Sequence, residues 1–326
     1  MQLGMSFFYG AQADRIKLAQ QMGIKYAVTN IMPGERLLPN GIDYDFSPFL
    51  NKLDVFREAG LQVTVVESPT PLEKTKLGLP GRDEEIEVFL KMFKILYENK
   101  IDTVCYNWMP AVGWYRTLTE IKARGGATVT GYKHDTKSNL ELTEYGHVPS
   151  DKLWDDLVYF HKAVLPDAEK YGIKLALHPD DPPVEELKGI SRILISLDAL
   201  KKATSLVQSP NNGVTLCQGC ITTMGENPLE AIEYFGGEKK LFFAHFRDVR
   251  GNRYNFEETF HDDGPTDMYA CMKQYYKVGF SGTIRPDHVP TMLDEKADHP
   301  GYSALGNLFA VGYMKGLMEA IEKGDK

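Results

Sequence analysis

The sequence predicts an α/β protein, a (β/α)8 barrel of the TIM type with a long inserted loop after its fourth strand. Three observations carry this prediction. Eight short apolar or β-branched runs alternate with segments of helical period. Several of those runs are apolar on both faces, as expected where core side chains fill one side and helices cover the other. The length of 326 residues suits one such domain, which typically needs about 250 before insertions.

The runs are Leu3–Phe8, Ile24–Thr29, Leu61–Val66, Ile101–Tyr106, Ile173–Leu177, Gly213–Leu216, Leu241–Ala244 and Gly282–Ile284. The first leads into "YGAQAD", whose single glycine argues against the glycine-rich phosphate turn of an open doubly wound sheet. The third and seventh, "LQVTVV" and "LFFAHF", are apolar on both faces. The fifth stops at "HPDDPP", where Pro179, Pro182 and Pro183 keep a helix from starting and hold the backbone extended. No Gly/Ser or Pro-rich tract and no charge block interrupts the pattern, so residues 1–326 read as a single domain.

One segment breaks the rhythm. Roughly forty residues separate the fourth run from an amphipathic helix expected near Lys152, against usual connections of about 2–6 residues. This insertion, at about 108–150, is expected to be a lid or a subunit contact. It leaves the face where barrel strands end and carries Trp108, Trp114, Tyr115, Arg116, Lys133 and His134, residues suited to covering a polar substrate.

Composition narrows the class. A 43% hydrophobic fraction can supply a large core, and no run approaches the ~20 apolar residues of a membrane helix. "MQLGMSFF" enters the first strand at once, with no room for a signal segment, and four cysteines are too few for a disulfide framework; both predict a cytoplasmic protein. A net charge of −8 gives no footprint for nucleic acid. The expected partner is a small molecule, with a homo-oligomer as the expected assembly.

Four residues able to bind a metal stand at the ends of consecutive runs: His178 after the fifth, Cys217 after the sixth, His245 on the seventh and Asp287 after the eighth. Each alone has an ordinary explanation in packing, hydrogen bonding or turn formation. Their corresponding positions make coincidence improbable, because parallel barrel strands all finish on one face. One thiolate, two imidazoles and a carboxylate suit zinc, ferrous iron or manganese. Six-coordinate Mn(II) or Fe(II) leaves room for substrate oxygens more easily than tetrahedral zinc. Cys217-x-x-Cys220 also resembles a redox pair or half a zinc ribbon, but without a second such pair the signal is weak, and Cys220 reads as a neighbour of the ligand. Cys105 and Cys271 read as core residues.

The segments "VVESPTPLEKTKLGLPGRD", "VCYNWMPAVGWYRT", "HPDDPP", "GVTLCQG", "FHDDGPTDM", "RPDH" and "PGYSALG" together resemble the mannonate dehydratase family of hexuronate breakdown, over most of the chain. The resemblance implies a xylose-isomerase-like TIM barrel, a Mn(II) or Fe(II) ion held by His178, Cys217, His245 and Asp287, and dehydration of D-mannonate to 2-keto-3-deoxy-D-gluconate. It also implies that His288 and Tyr302 perform the acid–base chemistry. A metal-dependent sugar isomerase or epimerase on the same barrel is the alternative, and a non-catalytic sugar-binding or metal-sensing barrel a third.

These roles suit the residues. His288 directly follows Asp287, and histidine exchanges protons near neutral pH; Tyr302 follows Pro300 and Gly301, which can turn it toward the barrel mouth. Arg247 and Arg285 share strand parity with His245 and Asp287 and are expected to bind substrate, as are Glu67 and Asn107 at the ends of the third and fourth runs. His261 is expected either to line the pocket or to stabilise its own turn. Arg82 and Arg116 are candidate binders whose default is surface solvation. Val289-Pro290-Thr291 follows "RPDH" where these dehydratases often have glycine and a polar residue. That departure puts substrate preference in question and leaves the ligands untouched.

Overall fold

The computed structural model describes residues 1–31, 44–134, 141–293, 295 and 299–324. Eight strands form a closed barrel: β1 (Gln2–Phe7), β2 (Tyr26–Thr29), β3 (Gln62–Glu67), β4 (Thr103–Asn107), β7 (Lys174–His178), β10 (Asn212–Cys217), β11 (Leu241–Phe246) and β14 (Thr283–Pro286). Each overlaps one of the eight runs. Every neighbouring pair is parallel, and β14 returns to β1 to close the ring.

The register sets the site. Asn107 lies opposite His178, and Cys217, His245 and Arg285 lie opposite one another on three consecutive strands, so the two groups share the C-terminal strand ends with a two-residue stagger between β7 and β10, where Val214 pairs with Leu177. Two residues earlier on each strand, Val65, Cys105, Ala176, Thr215, Phe243 and Thr283 are all buried and form the layer beneath, as the strand period of two requires. Thr215 donates to the Ala176 carbonyl at 3.0 Å and to Cys105 Sγ at 3.1 Å, which ties three strands together under the mouth.

Helices cover the barrel because their apolar residues recur at helical spacing. Arg82–Glu98 buries Ile86, Phe89, Phe93 and Leu96 on one face, and Asp83, Glu84 and Glu85 in its first turn complement the helix dipole. Burying one such phenylalanine contributes about 1.5–3 kcal/mol. Ser196 and Asp267 cap Leu197–Ser205 and Met268–Lys277 by accepting from the N–H groups of Ala199 and Ala270. The expected helix near Lys152 spans Ser150–Tyr171. No helix among the described residues is long and apolar enough to cross a membrane.

The insertion has secondary structure of its own. Its strands β5 (Leu118–Lys122) and β6 (Thr128–Lys133) form an antiparallel hairpin, and β6 pairs with β13 (Asn255–Glu258), which pairs with β12 (Val249–Asn252). A small hairpin of β8 (Glu186–Leu187) and β9 (Ile190–Ser191) follows β7. The accessory sheet therefore joins the insertion to the segment that follows β11. Residues 135–140 of the insertion lie outside the described residues. Trp108, expected in the cover, is instead fully buried and donates its indole N–H to the Leu153 carbonyl at 3.0 Å. An apolar ring with one donor satisfied inside the core has no reason to remain at the surface.

Candidate metal and active site

The four proposed donors converge at the barrel mouth. Ligand atoms of Cys217, His245 and Asp287 lie within 4.8 Å of one another, and His178 Nε2 is 3.2 Å from His245 Nδ1. His178 Nδ1 is 2.6 Å from the Pro179 carbonyl, so that nitrogen carries the proton and Nε2 presents its lone pair. His245 faces the other way, with Nε2 3.2 Å from Glu67 Oε1 and Nδ1 3.5 Å from Asp287 Oδ2. Each imidazole thus directs one nitrogen at a shared point, while the other faces the Pro179 carbonyl in His178 and Glu67 in His245.

Charge supports the same point. Burial opposes ionisation of Cys217, but the Cys220 thiol, Arg247, His178 and His245 together hold its thiol well below the ordinary range. Burial likewise opposes ionisation of Asp287, and Arg285, His288, His245 and Arg247 outweigh it, so the carboxyl sits well below the usual carboxylate value. Burial and Arg285 disfavour the charged form of His245, yet Glu67 and Asp287 raise it to about 9. Glu67 is itself lowered to about 2, because Arg285 and His245 overcome its burial.

The anionic groups here are Glu67, Asp181, Glu258, Asp287 and the Cys217 thiolate; the arginines packed among them are Arg116, Arg247 and Arg285. Five negative groups against three guanidiniums leave a deficit equal to the charge of one divalent cation. Imidazolium at His245 makes up part of it without an ion. The donor chemistry and the charge therefore both fit a dication.

Arg247, expected to bind substrate, stands outside the cavity lining. It is buried with every nitrogen engaged: Nη1 to Glu258 at 2.7 and 2.8 Å, Nη2 to Asp181 at 2.7 Å and Cys220 Sγ at 3.3 Å, and Nε to Cys217 Sγ at 3.2 Å. Parity brought it to the mouth, but the neighbouring anions consume its donors. Arg285 does line the cavity, while Glu67 and Asp287 accept from its guanidinium at 2.7–3.0 Å. Glu67 therefore serves Arg285 and His245. Asn107 also lines the cavity; its Oδ1 accepts from Lys76 Nζ at 2.9 Å and from the Met109 N–H at 3.1 Å, which orients the amide N–H2. His261 stands outside the lining: it is fully buried, its ring 6.3 Å from that of Phe246, and burial lowers it to about 4.

Surface solvation was the default for Arg116, but the structure buries it. Its side chain is 1% exposed, donates to Asp181 at 2.6 and 2.9 Å and to Glu258 at 2.7 Å, and lies 4.9 Å over the Trp114 ring. Arg82 remains one-third exposed and stacks on Tyr159 at 3.6 Å. Cys105, read as core, also lines the cavity floor.

His288 and Tyr302 face the same space. His288 Nδ1 is 3.1 Å from Glu258 Oε1, and its ring lies 5.2 Å from Trp114 and 5.8 Å edge-on from Tyr302. Tyr302 Oη donates to Asp287 Oδ1 at 3.3 Å, and burial followed by Asp287 holds its phenol well above the ordinary value. His288 is a non-glycine residue at φ 43, a left-handed conformation that is uncommon and concentrates at functional sites. The positive φ thus falls on His288, while Val289 has none and is buried, its N–H donating to the Gly301 carbonyl at 2.8 Å. Glycine's freedom is not needed at 289.

Sequence reading missed Glu258 and Asp181, the buried carboxylates that hold His288, Arg116 and Arg247. Glu258 comes from β13, where its pairing with Val249 of β12, just after β11, brings it near the mouth. Its sole sequence signal was an acidic residue in an otherwise ordinary strand. The cavity these residues enclose measures about 460 Å³, within the range of small-molecule sites, and Phe8, Tyr9 and His299 complete its rim.

Known proteins were compared with this chain. The D-mannonate dehydratase (UxuA) family profile matches residues 1–144 and 136–326. Mannonate dehydratase 2 of Halalkalibacterium halodurans is 35% identical over 289 residues, covering 80% of this chain and 83% of that protein. The mannonate dehydratase of Thermotoga maritima is 32% identical over 98% of each chain. The crystal structure of mannonate dehydratase from Streptococcus suis serotype 2 superposes with a TM-score of 0.88 at 29% identity, covering 99% of this chain and 95% of that one. A D-tagatose 3-epimerase-like protein has a TM-score of 0.64 at 14% identity over the full length of both chains, a likeness of fold alone.

Proposed function

The chain belongs to the mannonate dehydratase family, and from that membership we propose that it is a hydro-lyase converting D-mannonate to 2-keto-3-deoxy-D-gluconate and water. The observation that carries the proposal within this chain is the convergence of His178, Cys217, His245 and Asp287 beside His288 and Tyr302. We assign the four donors to a divalent ion, Mn(II) or Fe(II). Such an ion supplies a Lewis acid for the carboxylate and C2 hydroxyl of a sugar acid, where negative charge grows as the C2 proton leaves.

The protein's own groups do the proton work. Glu258, lowered to about 2 because Arg247, His288 and Arg116 overcome its burial, accepts a hydrogen bond from the Nδ1–H of His288 and leaves Nε2 as a base. His288 takes the C2 proton. Tyr302, kept protonated by burial and by Asp287, gives a proton to the departing C3 hydroxyl. Asn107 offers its amide N–H2 to a substrate hydroxyl. The insertion acts as a lid, with Trp114 covering His288 and excluding water.

Product analysis tests the reading. Protein stripped of metal and reconstituted with Mn(II) should yield from D-mannonate a keto acid lighter by one water. A product of unchanged mass would replace the dehydratase with an isomerase or epimerase. Two expectations accompany this reading: a homo-oligomer, tested by light scattering, and a cytoplasmic location, tested by fractionation.

A further inference from the structure

Cys220 is absent from the chemistry above, yet its sulfur lies within ligand distance. The ligand atoms of His178, Cys217 and Cys220 lie within 4.8 Å of one another, forming a triad that shares Cys217 with the Cys217, His245 and Asp287 group. Helix geometry explains this. Cys217 precedes the first residue of the helix Gln218–Met224 and Cys220 is the third, so one turn brings the two sulfurs together. Both are fully buried and free. Arg247 donates to both, from Nε to Cys217 Sγ at 3.2 Å and from Nη2 to Cys220 Sγ at 3.3 Å. That guanidinium, itself held by Glu258 and Asp181, fixes the two sulfurs beside each other, and the charge of a second thiolate is matched by an incoming dication rather than by the protein.

We propose that His178, Cys217 and Cys220 form a second, overlapping position for a thiophilic d10 dication such as zinc or cadmium. Hard and soft preference separates the two positions. A manganous or ferrous ion is drawn toward the Asp287 carboxylate, whereas zinc gains a second sulfur by moving toward Cys220. Binding displaces one proton from the Cys220 thiol to solvent and forms metal–sulfur bonds to Cys217 and Cys220 in place of bonds from the aqueous ion to water, without change of oxidation state. Zinc so bound abandons Asp287, beside which Tyr302 stands, and therefore fills the protein without supporting turnover. The proposal rests on the ion-site reading above for the shared residues His178 and Cys217.

The sulfur count around bound zinc tests it. X-ray absorption of zinc-loaded wild-type protein should show two sulfur neighbours at about 2.3 Å, and Cys220→Ser should show one. A single sulfur neighbour in the wild type overturns the proposal. Competition titration gives the second measurement: Cys220→Ser should lose tenfold or more in affinity for zinc and keep its affinity for Mn(II). An equal loss for both ions would mean general damage to the site and would also overturn it. Failure of the dehydratase reading is separately visible, as Mn(II)-loaded protein that leaves D-mannonate unchanged, whatever the sulfur count.

Discussion

The base proposed here, His288, depends on a residue thirty positions away. Glu258 accepts a hydrogen bond from its Nδ1–H, and Arg116 and Arg247 hold that carboxylate in place. Replacing His288 with asparagine should reduce turnover by roughly 10²–10⁴-fold, with ion content unchanged by elemental analysis; full activity in His288→Asn would refute the assignment. Cys217→Ser should instead lower ion content, because a neutral hydroxyl replaces a thiolate whose charge Arg247 and two imidazoles stabilise. Glu258→Gln separates positioning from binding: kcat should fall and the acid limb of its pH profile should move, while KM stays near the wild-type value. A change in KM alone would make Glu258 a binding residue. At this scale the sequence singled out the proposed donors because each stands at or near a strand end, and parity indicated which way they point. It could not disclose Glu258 or Asp181, or that Arg247 and Arg116 are enclosed, because those depend on which anions lie across the fold.

The insertion and the helices illustrate the next scale. Eight strand positions were legible because a buried parallel strand is a short apolar run, and the observed boundaries differ from the expected ones by one or two residues. The insertion's hairpin was not legible, since β5 is mostly exposed and carries no apolar alternation; its partner β13 lies more than a hundred residues later. Trp114, 42% exposed above His288, should act through substrate closure. Trp114→Ala is expected to raise KM for D-mannonate several-fold and leave ion content unchanged; an unaltered KM would remove the lid role. In the Ser150–Tyr171 helix, His161 is buried with Nε2 2.7 Å from Tyr106 Oη, and burial lowers it to about 3 from 6.5. Between those values the unfolded chain binds a proton that the folded protein excludes. Stability should therefore fall with decreasing pH by about 1.4 kcal/mol per unit on this account alone. His161→Gln should flatten the slope of urea-unfolding free energy between pH 6 and 4; an unchanged slope would assign the acid sensitivity elsewhere.

Across the whole molecule, the barrel gathers buried charged groups at its mouth. Carboxylates from β3, β13, the β7 loop and the β14 end, with a thiolate from β10, meet three arginines around one point. Such a buried assembly is costly unless its charges match. The fold as a whole was readable from periodicity and length, whereas the charge balance emerges only when distant segments are placed together. The central claim is a single dication at that point, and the most direct measurement is anomalous diffraction at the manganese edge from crystals loaded with Mn(II). The account predicts one peak bonded to His178 Nε2, Cys217 Sγ, His245 Nδ1 and an Asp287 oxygen, each about 2.0–2.4 Å away. A peak elsewhere, or none in a protein that still dehydrates D-mannonate, would contradict it.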